Sequence, residues 1–328
     1  MGCRLILYNY ESIVNLILDK KTYLGEKGVC RYCGKNNSEV NFKKLAHAIP
    51  ELLGNKFLFS NDECDECNAY FDKNLENNLA NFMGISRTIS QIVGKKGIPN
   101  QKSMSGDRIE AVNGDLVIIQ GHDANTYEQV SDNLARIEST PTTYIPINVY
   151  KCLVKIAISA LPKCYLKTFR ETIRWVRLNS EPHGFDSRLL NLHVTMVPGI
   201  NPFRKIWLQL YKRKGDKKVY PYMICILAFS NYMCRFILPF NKKDDSLDLT
   251  KLEVPIFPLL PIFKLPGQAP GMKFVEHNFD LSGKKSVKAK NYVDMYTEGK
   301  ITEMDFENIP EEIKSRVKEL GLKFECEE

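Results

Sequence analysis

The chain reads as an α+β protein in two parts, a small cysteine-paired N-terminal module and a larger, mostly antiparallel α+β C-terminal domain. Three observations predict this. Four of the ten cysteines fall in two Cys-x-x-Cys pairs, Cys30/Cys33 and Cys64/Cys67, a spacing at which two thiolates reach one metal ion. Apolar stretches of strand character run from Leu189 to Phe229, behind two stretches of helical period. The length, 328 residues, exceeds one domain at roughly 150 residues each.

Taken in order, Leu5, Leu7, Ile13, Val14, Leu16, Ile17 and Leu18 predict a strand followed by a short helix, closed by Gly25 and Gly28. From Cys30 to about Gly97 the composition changes to paired cysteines, His47 and abundant asparagine. Gly94-Lys95-Lys96-Gly97-Ile98-Pro99 marks a break, and Ala111–Gln120 predicts a hairpin around Asn113-Gly114. The expected organisation is therefore a module over residues 1–100, a connecting segment over 101–140, and a domain over 141–328. In that last part Val149–Leu161 and Tyr165–Leu178 have helical period, while Leu189–Val197, Lys205–Tyr211 and Val219–Phe229 read as strands. Ile309-Pro310-Glu311-Glu312 opens a final helix that should stop at Gly321.

Hydrophobic residues at 44% and charged residues at 26% exclude a wholly disordered, collagenous or coiled-coil chain. A net charge of +7 suits a polyanionic partner without demanding one. The N-terminus lacks a secretory h-region and cleavage site, and Ile6 stands where a Met1-Gly2 lipidation signal needs Ser or Thr. The expectation is a cytoplasmic protein. Pro221, Arg235 and Pro239 interrupt the apolar run Tyr220–Phe240, so two strands turning at Ser230-Asn231 fit it better than a membrane span, and no membrane is expected as a partner.

Four thiolates, Cys30, Cys33, Cys64 and Cys67, complete the tetrahedral shell of structural Zn²⁺, with Gly34 allowing the tight turn after the first pair. Such a closed shell stabilises and leaves no position for chemistry. Two disulfides are the alternative, disfavoured in a reducing compartment. Cys3, Cys152, Cys164, Cys225, Cys234 and Cys326 are scattered and read as core or incidental residues.

The 30 residues between the pairs contain Ala46-His47-Ala48-Ile49-Pro50-Glu51-Leu52-Leu53-Gly54, then Asn61, and the second pair is followed at once by Asn68. This order, over about residues 25–97, resembles the zinc-stabilised branch of the HNH endonuclease family, which has the ββα-metal, or His-Me finger, fold. The resemblance implies that His47 is the general base, that Asn61 supports the hairpin carrying it, and that Asn68 is a ligand of a catalytic metal at the start of the following helix. It also implies DNA as the substrate and, by analogy with similar modules joined to unrelated domains, a role in phage defence.

Elementary chemistry agrees with these roles. A histidine titrates near neutrality, as a base that takes a proton from water must. A divalent cation stabilises charge on a phosphodiester and its leaving oxygen, and an Asn carbonyl with a carboxylate suits Mg²⁺ or Mn²⁺. Asp72 lies one helical turn beyond Asn68 and is the expected second metal ligand, with Glu76 and Glu51 as weaker candidates. One departure stands out: the family usually carries an acidic or histidine ligand just before its base, where this chain has Ala46. That departure motivates an alternative, a non-catalytic zinc-dependent module that binds nucleic acid or protein.

Arg31, Lys35, Lys43, Lys44 and Lys56 are the expected phosphate contacts near His47. Two further basic clusters lie at Lys205, Lys212, Arg213, Lys214 and Lys217, and at Lys284, Lys285, Lys288 and Lys290. This reading leaves open RNA as a substrate, a protein partner or activating ligand docking through residues 141–328, and a homo-oligomer.

Overall fold

The structure is a computed structural model that describes residues 9–102, 107–112, 114–119, 126–178, 181–182, 185–199, 201–252, 274–289, 292–296 and 306–319. Expectations that involve Met1-Gly2-Cys3, Leu5, Ile6, Leu7, Asn113, Gln120, Lys290, Gly321 and Cys326 fall outside those residues. Two compact units are formed, each from two stretches of chain: residues 1–82 with 143–287, and residues 83–142 with 288–328.

The first unit opens with β1 (Tyr10–Ile17), β2 (Thr22–Leu24), β3 (Ala46–His47) and β4 (Leu58–Ser60). Helix α1 (Asp65–Phe71) then runs through a wide π turn at Asp72–Glu76 into α2 (Asn77–Met83). Next come α3 (Ser86–Ile89), β5 (Gln101–Lys102), β6 (Arg108–Val112), β7 (Asp115–Ile119), β8 (Tyr127–Ser131) and β9 (Leu134–Glu138) of the second unit. The chain re-enters the first unit with β10 (Thr143–Tyr144), α4 (Pro146–Ala160), α5 (Arg170–Arg177), β11 (Asn191–Met196), β12 (Phe203–Arg213), β13 (Met223–Ser230), β14 (Tyr232–Ile237) and β15 (Val275–Asp280). After β16 (Val287–Lys288), β17 (Tyr292–Tyr296) and α6 (Glu311–Glu319) complete the second unit.

Six strands form the main sheet of the first unit in the order β1-β12-β13-β14-β11-β15, antiparallel throughout. The expected β13–β14 turn at Ser230-Asn231 is present, with Ser230 at φ +49°. The N-terminal segment departs from expectation. Residues 13–17 continue a strand instead of opening a helix, and Tyr10 pairs with Arg213 and Ile17 with Trp207. Tertiary pairing overrides the local pattern here: β-branched Ile13, Val14 and Ile17 suit an edge strand, and their partner lies some 190 residues away, beyond any local signal.

Helix α4 is buried along nearly its whole length, as a helix apolar on all sides should be. One side of it meets the sheet: the Tyr150 hydroxyl donates to the Leu189 carbonyl at 2.8 Å and accepts from the Ile237 N–H at 3.1 Å, with its ring edge-on to Phe236. Another side meets the cysteine module. The compact units therefore do not follow the chain positions 100 and 140, because α4 and β12 bind elements from the first eighty residues.

In the second unit, β6 and β7 form the hairpin expected around Asn113-Gly114, with Val112 opposite Asp115. Strand β9 pairs with both β8 and β17. Ile85, Ile109 and Ile137 are the buried centre, so residues 101–140 belong to a small core of their own. Among the described residues, no helix is long and apolar enough to cross a membrane.

Candidate nuclease site and metal centre

The first cysteine pair sits on a tight turn. The Gly34 N–H donates to the Cys30 carbonyl and the Cys30 N–H to the Lys35 carbonyl, both at 2.8 Å; Gly34 adopts φ +74°, a conformation that suits glycine. The second pair opens α1, and the Cys64 N–H points at Cys30 Sγ, 3.4 Å away. All four Sγ atoms lie within 4.8 Å of one another, and Cys33 and Cys64 are 3.8 Å apart. A tetrahedron with Zn–S bonds of about 2.3 Å has an edge of about 3.8 Å, whereas a disulfide needs about 2.05 Å. The donor set and its spacing therefore fit Zn²⁺. A hydrogen bond from Cys67 pulls the Cys30 thiol below its ordinary range, a direction that favours the thiolate a metal binds.

Strands β3 and β4 pair antiparallel, with His47 opposite Phe59, and α1 follows, giving a hairpin and helix in the ββα order. The His47 ring is partly exposed and packs 5.0 Å from the Phe59 ring, whose other neighbour on the sheet is Tyr23, stacked at 5.3 Å. Glu51 Oε1 stands 3.9 Å from His47 Nε2 and 2.8 Å from Lys56 Nζ.

The loop between the two strands is braced by a residue the sequence reading did not select. Asn55 is fully buried. Its amide donates to the Ile49 and Leu58 carbonyls at 2.6 and 2.9 Å, and its carbonyl accepts from the Phe57 and Leu58 N–H groups. Sequence reasoning placed this bracing at Asn61. That residue instead closes β4 onto β2, through its N–H to the Leu24 carbonyl at 2.8 Å and a long side-chain contact to Gly25. The role at Asn61 rests on the family resemblance alone. The missed signal was Asn55 itself, directly after the left-handed Gly54 that ends the short turn at Glu51–Leu53.

Asn68 is half-buried in the middle of α1, and Asp72 is exposed at the first position of the π turn. The asparagines of this stretch return to the helix: Asn74, Asn77 and Asn78 each donate to the carbonyl four residues back, where a widened turn weakens main-chain pairing. Burial raises the Glu76 carboxyl above the usual range; Lys155 opposes this, and Asp72 and Glu51 add to it. Glu76 thus shares its field with Glu51, the neighbour of His47, and belongs to the same acidic face as Asp72. Among the described residues, the four cysteines alone bring three or more His, Cys, Asp or Glu ligand atoms within 4.8 Å; His47, Glu51, Asp72 and Glu76 are more widely spaced. Ala46 is buried opposite Ser60 and offers no ligand.

Arg31 departs from its expected phosphate role. Its side chain is 5% exposed, pairs with Asp62 at 2.9 Å and donates to the Ile158 and Leu161 carbonyls at the end of α4, where a cation meets the negative end of the helix dipole. Gly25 makes room for this pair: at φ +70°, a Cβ there would fall 2.2 Å from Asp62 Cγ. Lys35 and Lys56 are engaged by Glu66 and Glu51. Lys43 and Lys44 are exposed and, with Lys27, Ser60 and Asn61, border a shallow cleft. In the distant cluster, Lys205 and Lys212 are paired with Asp19 and Glu11.

Sequence reasoning also passed over Lys155. It lies on α4 at 0% exposure and forms an ion pair of 3.0 Å with Glu63, also at 0%. Its Nζ donates to the His47 carbonyl at 2.8 Å. Burial pushes the Glu63 carboxyl up to about 7 against the pull of Lys155, while the acids around Lys155 hold its ammonium above the usual value despite burial.

Residues 30–83 match the family model described as HNH endonuclease. Neither the curated proteins nor the solved structures contain a match to this chain.

Proposed function

We propose that the HNH endonuclease segment makes this protein a divalent-metal-dependent endonuclease that hydrolyses phosphodiester bonds in DNA. The observation that carries the reading is the position of His47: half-exposed on a β-hairpin held by the buried Asn55, next to a helix that begins at a four-cysteine centre. A general base must be held firmly yet open to water, and this histidine is both.

In this reading His47 takes the proton from the attacking water, and the Phe59 ring limits the tilt of its imidazole. Asn55 fixes the loop that joins the two strands. Zn²⁺ at Cys30, Cys33, Cys64 and Cys67 fixes the start of α1 and so the position of Asn68. The catalytic metal, Mg²⁺ or Mn²⁺, supplies charge stabilisation at the phosphate when bound, and its candidate ligands are Asn68, Asp72 and Glu76, all oxygen donors. Glu76 joins Asp72 as the replacement for the ligand absent at Ala46, because the two carboxyls, four residues apart, interact electrostatically. Exposed Lys43 and Lys44 are the better placed phosphate contacts. The phage-defence role, and a C-terminal part that senses a signal or docks a partner, belong to this reading through the family resemblance.

The alternative, a zinc-dependent binding module without catalysis, draws on Ala46. Supercoiled plasmid and a structured RNA, each incubated with zinc-loaded protein with and without Mg²⁺ or Mn²⁺, distinguish the two. The nuclease reading expects nicked plasmid only with the added cation. Binding to either nucleic acid with no cleavage under any of these conditions supports the alternative, and faster cleavage of RNA reassigns the substrate.

A further inference from the structure

We infer that Lys155 is a positioning residue for His47, and that helix α4 is thereby a working part of the nuclease site. This inference rests on the nuclease reading above and adds a residue that lies 72 positions beyond the end of the family match, which closes at residue 83.

A set of polar and ring contacts joins α4 to the module. The Lys155 ammonium donates to the His47 carbonyl at 2.8 Å, faces Glu63 at 3.0 Å and stands 5.6 Å from the Phe71 ring centre. One turn of the helix also supplies acceptors to the module: the Tyr32 hydroxyl donates to the Lys155 carbonyl at 3.1 Å and meets Ser159 Oγ at 2.7 Å. Arg31 holds the helix end through the Ile158 and Leu161 carbonyls. These contacts reach four parts of the module: the first cysteine turn through Tyr32, the approach to the second through Glu63, α1 through Phe71, and β3 through the carbonyl of His47 itself.

The position of this lysine is costly to maintain. A buried ion pair contributes little to stability relative to an apolar pair of the same size, and among the described residues the Glu63 oxygens have no hydrogen-bond donor besides Lys155. Stability alone gives no reason for a lysine at this point. A donor reaching the His47 carbonyl does give one, since β3 is two residues long and Lys155 adds an anchor from outside the hairpin to the peptide that carries the histidine. A base displaced by about 1 Å loses up to about 100-fold in rate.

The test uses the full chain, zinc-loaded, as wild type, Glu63→Gln and the double variant Lys155→Met/Glu63→Gln. The double variant removes both buried charges together, so no unpaired ion opposes folding. Two readouts are taken. The first is the carbonyl ¹³C signal of His47, identified with ¹³C-carbonyl histidine and ¹⁵N-alanine because His47-Ala48 is the only His-Ala step in the sequence. The second is cleavage of plasmid at saturating metal.

The expected result is that the His47 carbonyl signal moves in the double variant toward that of a carbonyl without a donor. With it, kcat falls about 10- to 100-fold while KM stays within about twofold. Glu63→Gln, which keeps the Lys155 donor, leaves the His47 carbonyl signal near that of wild type. An unmoved carbonyl signal, or a double variant with wild-type kcat, overturns the inference and reduces Lys155 to the counter-ion of Glu63. A wild-type protein inert toward every nucleic acid overturns the nuclease reading instead, while the carbonyl signal still decides whether Lys155 holds the His47 peptide.

Discussion

The cysteine module and the six-stranded sheet share one compact unit but differ in how much of their buried interior is polar. In the module Cys30, Cys64, Cys67, Asn55, Ser60, Asp62 and Glu63 are buried beside apolar side chains such as Ile49, Leu53 and Phe71, and each of these polar groups is committed to a hydrogen bond, an ion pair or a metal position. In the sheet buried polar side chains are sparser, with Thr195, Gln209, Arg213 and Arg235 among the described residues, and seven consecutive residues of β13, Met223 to Phe229, are buried without a charge among them. Polar burial is directional and has to be satisfied group by group, whereas apolar burial is exchangeable among residues of similar volume. A region of the first kind declares its chemistry in residue identity and spacing. A region of the second kind declares only its fold.

Metal removal should break this comparison open most widely, because structural Zn²⁺ contributes apparent binding energies of about 10–16 kcal/mol in small zinc-folded peptides. Chelation is expected to abolish amide protection across residues 30–83 while β12, β13 and β14 retain theirs, as read by hydrogen exchange. Uniform loss over both regions would show that the sheet has no stability of its own. In the opposite direction, Phe236→Ala empties a fully buried position beside Tyr150 and should cost about 3–5 kcal/mol in urea unfolding, with zinc content unchanged.

Smaller substitutions sharpen the contrast inside the module. Asn55→Ala removes four hydrogen bonds from a buried side chain and should cost about 1–3 kcal/mol, against less than about 1 kcal/mol for Asn61→Ala. Urea midpoints of the zinc-loaded variants check this, and the reverse order would return the bracing role to Asn61. Smallest of all, Lys205→Ala breaks an ion pair to Asp19 whose two side chains are each 51% exposed, and should change stability by no more than about 0.5 kcal/mol.

The same division explains what the sequence made legible. The four-cysteine cluster and the order of hairpin and helix were readable because each rests on residue type at fixed spacing. The strands β11 to β14 and the helix α4 were readable from apolar period, to within a few residues. Three features were not. Strand β1 looked partly helical because its partner β12 is remote in sequence. Asn55 was overlooked because its role depends on the three-dimensional closure of a loop. Lys155 stood inside an apolar helix, and a charge in such a place was the available signal; its partners Glu63 and His47 come from segments about 90 and 108 positions earlier, which no periodicity connects.

The claim that this hairpin performs hydrolysis is tested most directly by the plasmid-nicking rate of His47→Ala relative to wild type, at equal zinc content and saturating Mg²⁺ or Mn²⁺. Loss of a general base is expected to slow nicking by about 10²- to 10⁴-fold with plasmid binding retained. Equal rates for the two proteins would contradict the assignment and remove His47 from the chemistry.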